Sequence, residues 1–288
     1  MDNLKAKKRH PEEIAVYTAI YVCAAFSVLL LLGIIIYVFA KGARRVNWAF
    51  LTGVTSILHG TVGIAGNILN TLIIILLTMI ITTPIGVGAA IYLNEYAKPG
   101  KLVTVIIFAT ETLAGIPSII FGLFGMLFFG QLCHMGYSLL TGSLTLTLMV
   151  LPLVTRNTQE ALKTVPDSFR TGAVGLGAGK WYTIRTILLP SAMPGIVTGV
   201  ILAIGRIIGE SAALLFTAGS AHLLPKTFNA FLEKIFHSGG TLTIQLYLSA
   251  SKGEFEVAFG IAVVLLVIVL LINFGTKRLA KKLETVSY

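Results

Sequence analysis

The chain has 288 residues, of which 56% are hydrophobic and only 12% charged, whereas a soluble domain carries roughly a quarter charged residues. Its mean hydropathy is +0.89, which excludes an ordinary soluble globular protein. The formal net charge is +10, and in so apolar a chain that surplus reads as membrane topology, with the lipid bilayer as partner and no nucleic acid.

In chain order, residues 1–13 form a polar N-terminal segment, and the first apolar run covers 14–40. That run is too long for the hydrophobic region of a leader peptide, roughly 7–15 residues, and no small-x-small site ends it, so it reads as a retained span. Further spans are expected at 67–93, 102–130, 139–155, 187–217 and 256–275, followed by a basic tail at 276–288. All six are expected to be helices, because a membrane barrel needs alternating strands. The fold class is therefore all-α, a single polytopic domain over 14–275. The fourth span is the weakest, being short and diluted by Thr141, Thr145 and Thr147. Cys23 and Cys133 sit in or beside apolar runs and read as small buried apolar residues.

Six spans put both termini on one side. With that side cytoplasmic, the inner segments carry fifteen basic residues and the outer ones six, Lys41, Arg44, Arg45, Lys226, Lys234 and Lys252. The positive-inside rule then favours cytoplasmic N and C termini, against the local trend of the three bases after span one. The polar segment 156–186 becomes a cytoplasmic loop, and 41–66 and 218–255 face outward.

Within span three, Glu111 shares a helical stripe with Thr104, Gly115, Ser118 and Gly122, and Pro117 is expected to kink the helix and free the carbonyl near Leu113. Span five carries Arg206 and Glu210 at i, i+4, on a stripe with Gly199, Ala213 and Thr217. Charges inside a span face protein or water, not lipid. Two readings stand for this pair: a solute pathway, or an ion pair gluing helices with help from Gly195-x-x-x-Gly199 and Gly205-x-x-x-Gly209. Glu111 likewise reads as a pathway acid or as a residue near the membrane surface.

In the 156–186 loop, Pro166-Asp167-Ser168 offers a helix start capped by Asp167 or Ser168. Gly175, Gly177 and Gly179 should end that helix near Leu176, and Lys180-Trp181-Tyr182 should open a second short helix leading to Pro190. Two short helices about a glycine turn make a knob that could seat in a partner; the alternative is an amphipathic loop on the headgroups. Gly175 to Lys180 is not a nucleotide loop, because Trp181 stands where Walker A needs Ser or Thr. No cofactor is expected on this chain, and no nucleophile, base or metal constellation marks it as an enzyme.

The same loop resembles the signature of inner-membrane permease subunits of bacterial ABC importers, Glu-Ala-Ala, three residues, Gly, nine residues, Ile, one residue, Leu-Pro. It matches at Ala173, Gly177, Ile187, Leu189 and Pro190 and departs at Thr171 and Gly172, which replace Glu and Ala. Leu113-Ala114-Gly115-Ile116-Pro117-Ser118 with the following Phe121-Gly122-Leu123-Phe124-Gly125, the stretch from Ala203 to Ala218, and Lys180-Trp181 look like phosphate permeases of the PstA type. The resemblance implies a type I ABC importer permease in a bacterial inner membrane. Its partners would be a second permease (PstC type), a cytoplasmic ATPase dimer (PstB type) that handles ATP and magnesium, and an external phosphate-binding protein (PstS type). It implies a translocation pathway at Arg206, Glu210, Glu111, Ser118 and Thr217. It implies ATPase coupling through Arg170, Thr171, Gly172, Ala173, Gly177, Lys180, Leu189 and Pro190. The family's acid helps fix the loop to the ATPase, so with Thr171 the grip must lean on Gly177, Arg170 and apolar contacts. A permease for another oxyanion or small solute, and an ion-driven secondary transporter, are the rival readings.

Overall fold

The computed structural model of the chain describes residues 11–56, 61–225 and 227–284. Lys5, Lys7, Lys8 and Arg9 of the expected basic N-terminal segment lie outside the described residues, as do Lys226 and residues 285–288.

Helix α1 (Pro11–Gly42) is followed by a 3-10 turn (Ala43–Arg45), α2 (Trp48–Thr52) and a short antiparallel hairpin of β1 (Val54–Ser56) and β2 (Thr61–Ile64). Then come α3 (Ala65–Ile91), which widens into a π turn (Tyr92–Tyr96), α4 (Lys101–Gly115) and α5 (Ser118–Gly125), the last continued by a π segment (Met126–Leu132). Helix α6 (Leu139–Lys163) leads to α7 (Asp167–Gly175) and α8 (Lys180–Thr183), which passes through a π turn (Ile184–Leu188) into α9 (Leu189–Gly209). The chain ends with α10 (Ala212–Thr217), α11 (Phe228–Glu233), α12 (Leu242–Ser251) and α13 (Phe255–Glu284).

Among the described residues, five helices are long and apolar enough to cross a membrane, and α4 with α5 makes a sixth if the bent pair is one crossing. The hairpin is the exception to an otherwise helical architecture. Span three is not a kinked helix: α4 and α5 meet at 104° across Ile116 and Pro117. Pro117 has left the helix to become the residue before α5. The carbonyl of Leu113 is not freed, since it accepts from the Ile116 N–H at 3.3 Å. Span five is likewise interrupted, with Glu210 and Ser211 between α9 and α10.

The fourth span, the weakest in hydropathy, is the centre of the protein. Two thirds (67%) of the apolar window of α6 is buried, against 0% for α1. Two of its hydroxyls bond within the helix: Thr145 Oγ1 donates to Thr141 O and Thr147 Oγ1 to Ser143 O, both at 2.8 Å. A helix that faces protein all round needs no lipid-like coat, so polar dilution marked burial rather than weakness. It also runs on to Lys163, well past 155.

Lipid tails are as apolar as leucine, so helices here associate through close packing and hydrogen bonds. Gly195 and Gly199 of α9 approach Ala161 and Asn157 of α6 so closely that a methyl on either would collide. This supports the expected packing motif. Gly205 and Gly209 face open space instead, so the second motif packs nothing among the described residues. Among the described residues there are three buried clusters: a central one around Ile74, Leu146, Val150, Ile207 and Leu214, one under the 156–186 loop around Leu162, Ile184 and Leu188, and one at the other end around Phe50, Ile64, Leu242 and Ile261. At that end the 218–255 segment folds back on α3. Asn67 and Asn70 donate to Gly240 O at 2.9 and 3.0 Å, and Leu242 N–H donates to Thr71 Oγ1 at 3.0 Å.

Helix α1 packs chiefly on α13, with Tyr37 edge-on to Phe259 at 5.7 Å and the backbone of Gly42 pressed against that of Phe259. Cys23 and Cys133 are both exposed and free, contrary to the expected burial. The sixth span continues as helix to Glu284, so the expected tail at 276 begins without a break.

Candidate translocation cavity and coupling loop

A cavity of about 220 Å³ lies among α4, α6 and α9, lined by Thr110, Glu111, Pro152, Arg156 and Arg206 with apolar neighbours. It unites Glu111 with Arg206, although they come from spans far apart in sequence. No described carboxylate lies within 4.0 Å of Arg206, because the ion pairs among the described residues are Lys163–Glu160, Arg170–Glu95 and Arg170–Asp167. Arg206 is exposed to the cavity. An unpaired guanidinium offers a fork of donors suited to an oxyanion.

Arg156 is absent from the residues expected at the pathway, because a fourth span ending at 155 leaves it in the loop. The signal is present in the sequence: Met149, Pro152, Leu153 and Arg156 all line this cavity, and their i, i+3, i+4, i+7 spacing is one helical face.

Three expected pathway residues are not at the cavity. Glu210 closes α9 as its C-cap, outside the residues that line the cavity. Its Oε1 accepts from the Ala213 N–H at 3.1 Å, at the start of α10, and its backbone carbonyl accepts from Thr243 Oγ1 at 2.9 Å. The expected ion pair with Arg206 is absent among the described contacts, which removes the glue reading as framed. Thr217 is fully buried beside Gly142, its hydroxyl donating to Ala213 O at 2.8 Å. Ser118 opens α5 beyond the 104° bend, so it has left the stripe of Glu111. Where α5 crosses α10, a methyl on Gly122 would come within 2.8 Å of the Ala213 Cα.

The second site is the 156–186 loop. The expected knob is there: α7 and α8 joined by a turn at Gly177, whose φ is +82°. Ala178 N–H donates to Ala173 O and Gly177 N–H to Val174 O, both at 2.9 Å. This is the Schellman pattern, and it requires a left-handed residue where Gly177 stands. The expected cap differs. Pro166 precedes α7 without a side-chain cap, and neither Asp167 nor Ser168 fills that place. Thr171 Oγ1 donates back to Asp167 O at 3.2 Å, and Thr171 and Gly172 are exposed. Leu189 and Pro190 begin α9, half-buried, directly after the π turn, and Pro190 supplies no backbone N–H to the helix there.

Arg170 and Lys180 do not reach outward. Arg170 Nη2 donates to Glu95 Oε1 at 2.9 Å and to Leu162 O at 3.0 Å, and Nη1 donates to Val165 O and Asp167 Oδ1, both at 3.0 Å. Hydrogen bonding to Glu95 raises the pKa of Arg170 above its already high ordinary value. Asn94 Nδ2 donates to the same Glu95 oxygen at 2.7 Å, and the Lys180 ammonium lies 4.6 Å from the centre of the Tyr96 ring. Neither Glu95 nor Tyr96 stands out in the sequence. The available signal is an acid just past the end of an apolar span in a chain with only twelve acids. The outward face of the knob is apolar instead: Val174, Trp181 and Tyr182 are exposed, and Leu176 is 91% exposed.

A bundle of this order, with interrupted third and fifth spans, a charged cavity among three helices and a two-helix knob between spans four and five, has the fold of a type I ABC importer permease. It is similar to a chain of the bacterial alginate ABC transporter solved with its alginate-bound periplasmic protein, with a TM-score of 0.70 at 14% identity over 95% of this chain and 96% of that one. The chain belongs to the binding-protein-dependent transport system inner membrane component family, whose profile matches residues 82–285. It is 36% identical to the probable ABC transporter permease protein YqgI of Bacillus subtilis, over 89% of this chain and 91% of that protein. It is 35% identical to the phosphate transport system permease protein PstA of Xylella fastidiosa, over 83% of this chain and 82% of that protein.

Proposed function

We propose that this chain is the permease subunit of an ATP-driven importer of inorganic phosphate in a bacterial inner membrane. The observation that carries the reading is the cavity in which Arg156 and Arg206 stand together without a described carboxylate within ion-pair distance. Two fixed positive charges in one cavity attract an oxyanion, and Glu111 in the same cavity keeps the contact weak enough for release, as conduction requires. The likeness to PstA supports phosphate over other oxyanions.

In this reading the chain lines half of the path, facing a second permease of the PstC type. An external PstS-type protein delivers phosphate, and a PstB-type ATPase dimer binds ATP and magnesium. Closure of the ATPases pulls the knob through Gly177, Leu176 and Trp181, and the permease pair turns from inward-open to outward-open. Both termini and the knob lie on the cytoplasmic side. No covalent step falls to this chain.

Arg206→Gln tests the reading. The variant should assemble with its partners yet lose binding-protein-dependent uptake of labelled phosphate by about one to two orders of magnitude, the worth of a lost charged hydrogen bond. Normal phosphate uptake by an assembled Arg206→Gln complex refutes the assignment. Loss of sulfate or molybdate uptake instead would identify a different oxyanion.

A further inference from the structure

Of the nine residues of α7, only Ala173 is buried. So little packing cannot hold a nine-residue helix firmly against the bundle, and a helix that moves freely cannot transmit a displacement. The firm attachment is polar. The Arg170 side chain is 22% exposed and the Glu95 side chain 8%, and they join α7 to the π turn that ends α3. The remaining Arg170 donors hold Leu162 O and Val165 O, at and just beyond the end of α6. Helix α6 in turn places Arg156 in the charged cavity. Lys180 over Tyr96 ties the start of α8 to the same turn.

We propose that Glu95 and Arg170 are a transmission pair: they lock the knob to the ends of α3 and α6, so that a pull on α7 moves the cavity wall as one body. Both are positioning residues that touch neither substrate nor ATP. The proposal rests on the coupling-loop reading above. Arg170 Nε also donates to Glu95 Oε2, at 3.4 Å, beside the 2.9 Å bond from Nη2 to Oε1, and such a planar fork resists rotation as well as separation. Reversing the pair would not serve, since an acid at position 170 would face the carbonyls of Leu162 and Val165.

The test measures substrate moved per ATP hydrolysed, on the complete importer reconstituted in vesicles with its binding protein and labelled phosphate. Glu95→Gln complexes should retain the ATPase and hydrolyse ATP within about twofold of wild type, while uptake per ATP falls about fivefold or more, the size of an ordinary coupling term. Glu95→Asp, which keeps the charge, should recover most of the ratio, and Arg170→Lys, which loses the fork, should lie between. A merely structural role predicts parallel loss of ATP turnover and uptake. A wild-type ratio in Glu95→Gln, or parallel loss of both activities, overturns the proposal. Should Glu95→Gln not assemble, Asn94→Ala loosens the same carboxylate without removing it. Its ratio should fall by a smaller factor, and an unchanged ratio again overturns the proposal. Gly177→Trp in the same assay separates the two claims. Unimpaired uptake there refutes the coupling loop itself, whereas impaired uptake with an intact Glu95→Gln ratio refutes only the pair.

Discussion

Glu210 shows how a charge in an apolar run can be misplaced by periodicity. Four residues after Arg206 it should pair with that residue, but the helix stops at Gly209 and its carboxylate instead receives the Ala213 N–H at the mouth of α10. Its work is to satisfy a helix end. Glu210→Gln keeps an acceptor there and should leave phosphate uptake within about twofold of wild type, while Glu210→Ala should destabilise the fold by roughly 0.5–2 kcal/mol. Thermal unfolding in detergent and uptake, measured side by side, check both. A Glu210→Gln variant as inactive as Arg206→Gln would return the acid to the pathway. Exchanging the two charges is uninformative, because an arginine at 210 cannot accept the bond from Ala213.

At the scale of elements, the knob was legible and its anchorage was not. Glycine spacing and the run from Lys180 to Tyr182 were enough to place both short helices, since turn chemistry is local. The partner of Arg170 lies 75 residues earlier in the chain, at Glu95, and no local pattern reports so distant a contact. Pro117 marked the place of the break in span three, though as a kink, whereas the break in span five escaped for another reason. A hydropathy window averages about 19 residues, so two non-helical residues inside an apolar stretch leave no trace in it. The polar character of α6 was visible, but its meaning depended on whether the helix met lipid or protein. The turn itself yields a direct prediction. Gly177→Ala places a side chain at φ +82° with no steric obstacle nearby, and should cost only about 1–2 kcal/mol locally. Gly177→Pro fixes φ near −65° and removes the N–H bonded to Val174, so the Schellman turn must open. Gly177→Pro should insert normally in the membrane and lose ATPase co-purification, with Gly177→Ala retaining most of it. Full uptake by Gly177→Pro would reduce the knob to a surface feature.

For the whole molecule, the span count came directly from apolar length, because the thickness of the hydrocarbon layer fixes how much of each helix must be apolar. Sidedness rests on charge bias, and accessibility can measure it. Thr164 and Thr227 are both exposed, at opposite polar segments. After Cys23 and Cys133, themselves exposed, are replaced by serine, an impermeant thiol reagent should label Thr227→Cys in intact cells and spare Thr164→Cys. The reverse pattern would invert the orientation and place the knob outside, where no ATPase could reach it.

Helix α1 meets chiefly α13, and none of its apolar window is buried. It also precedes the stretch shared with the family, which begins at residue 82. A ribosome therefore delivers α1 to the membrane long before its mate exists, and the helix must wait alone among lipids until the last span is made. A segment able to wait in that way needs no covalent link to the rest of the bundle. Cells producing residues 1–46 and 47–288 as two separate polypeptides should recover phosphate uptake, with the cut placed just ahead of the Asn47 cap on α2. If the two pieces never associate, α1 owes its position to its tether rather than to its contact with Phe259.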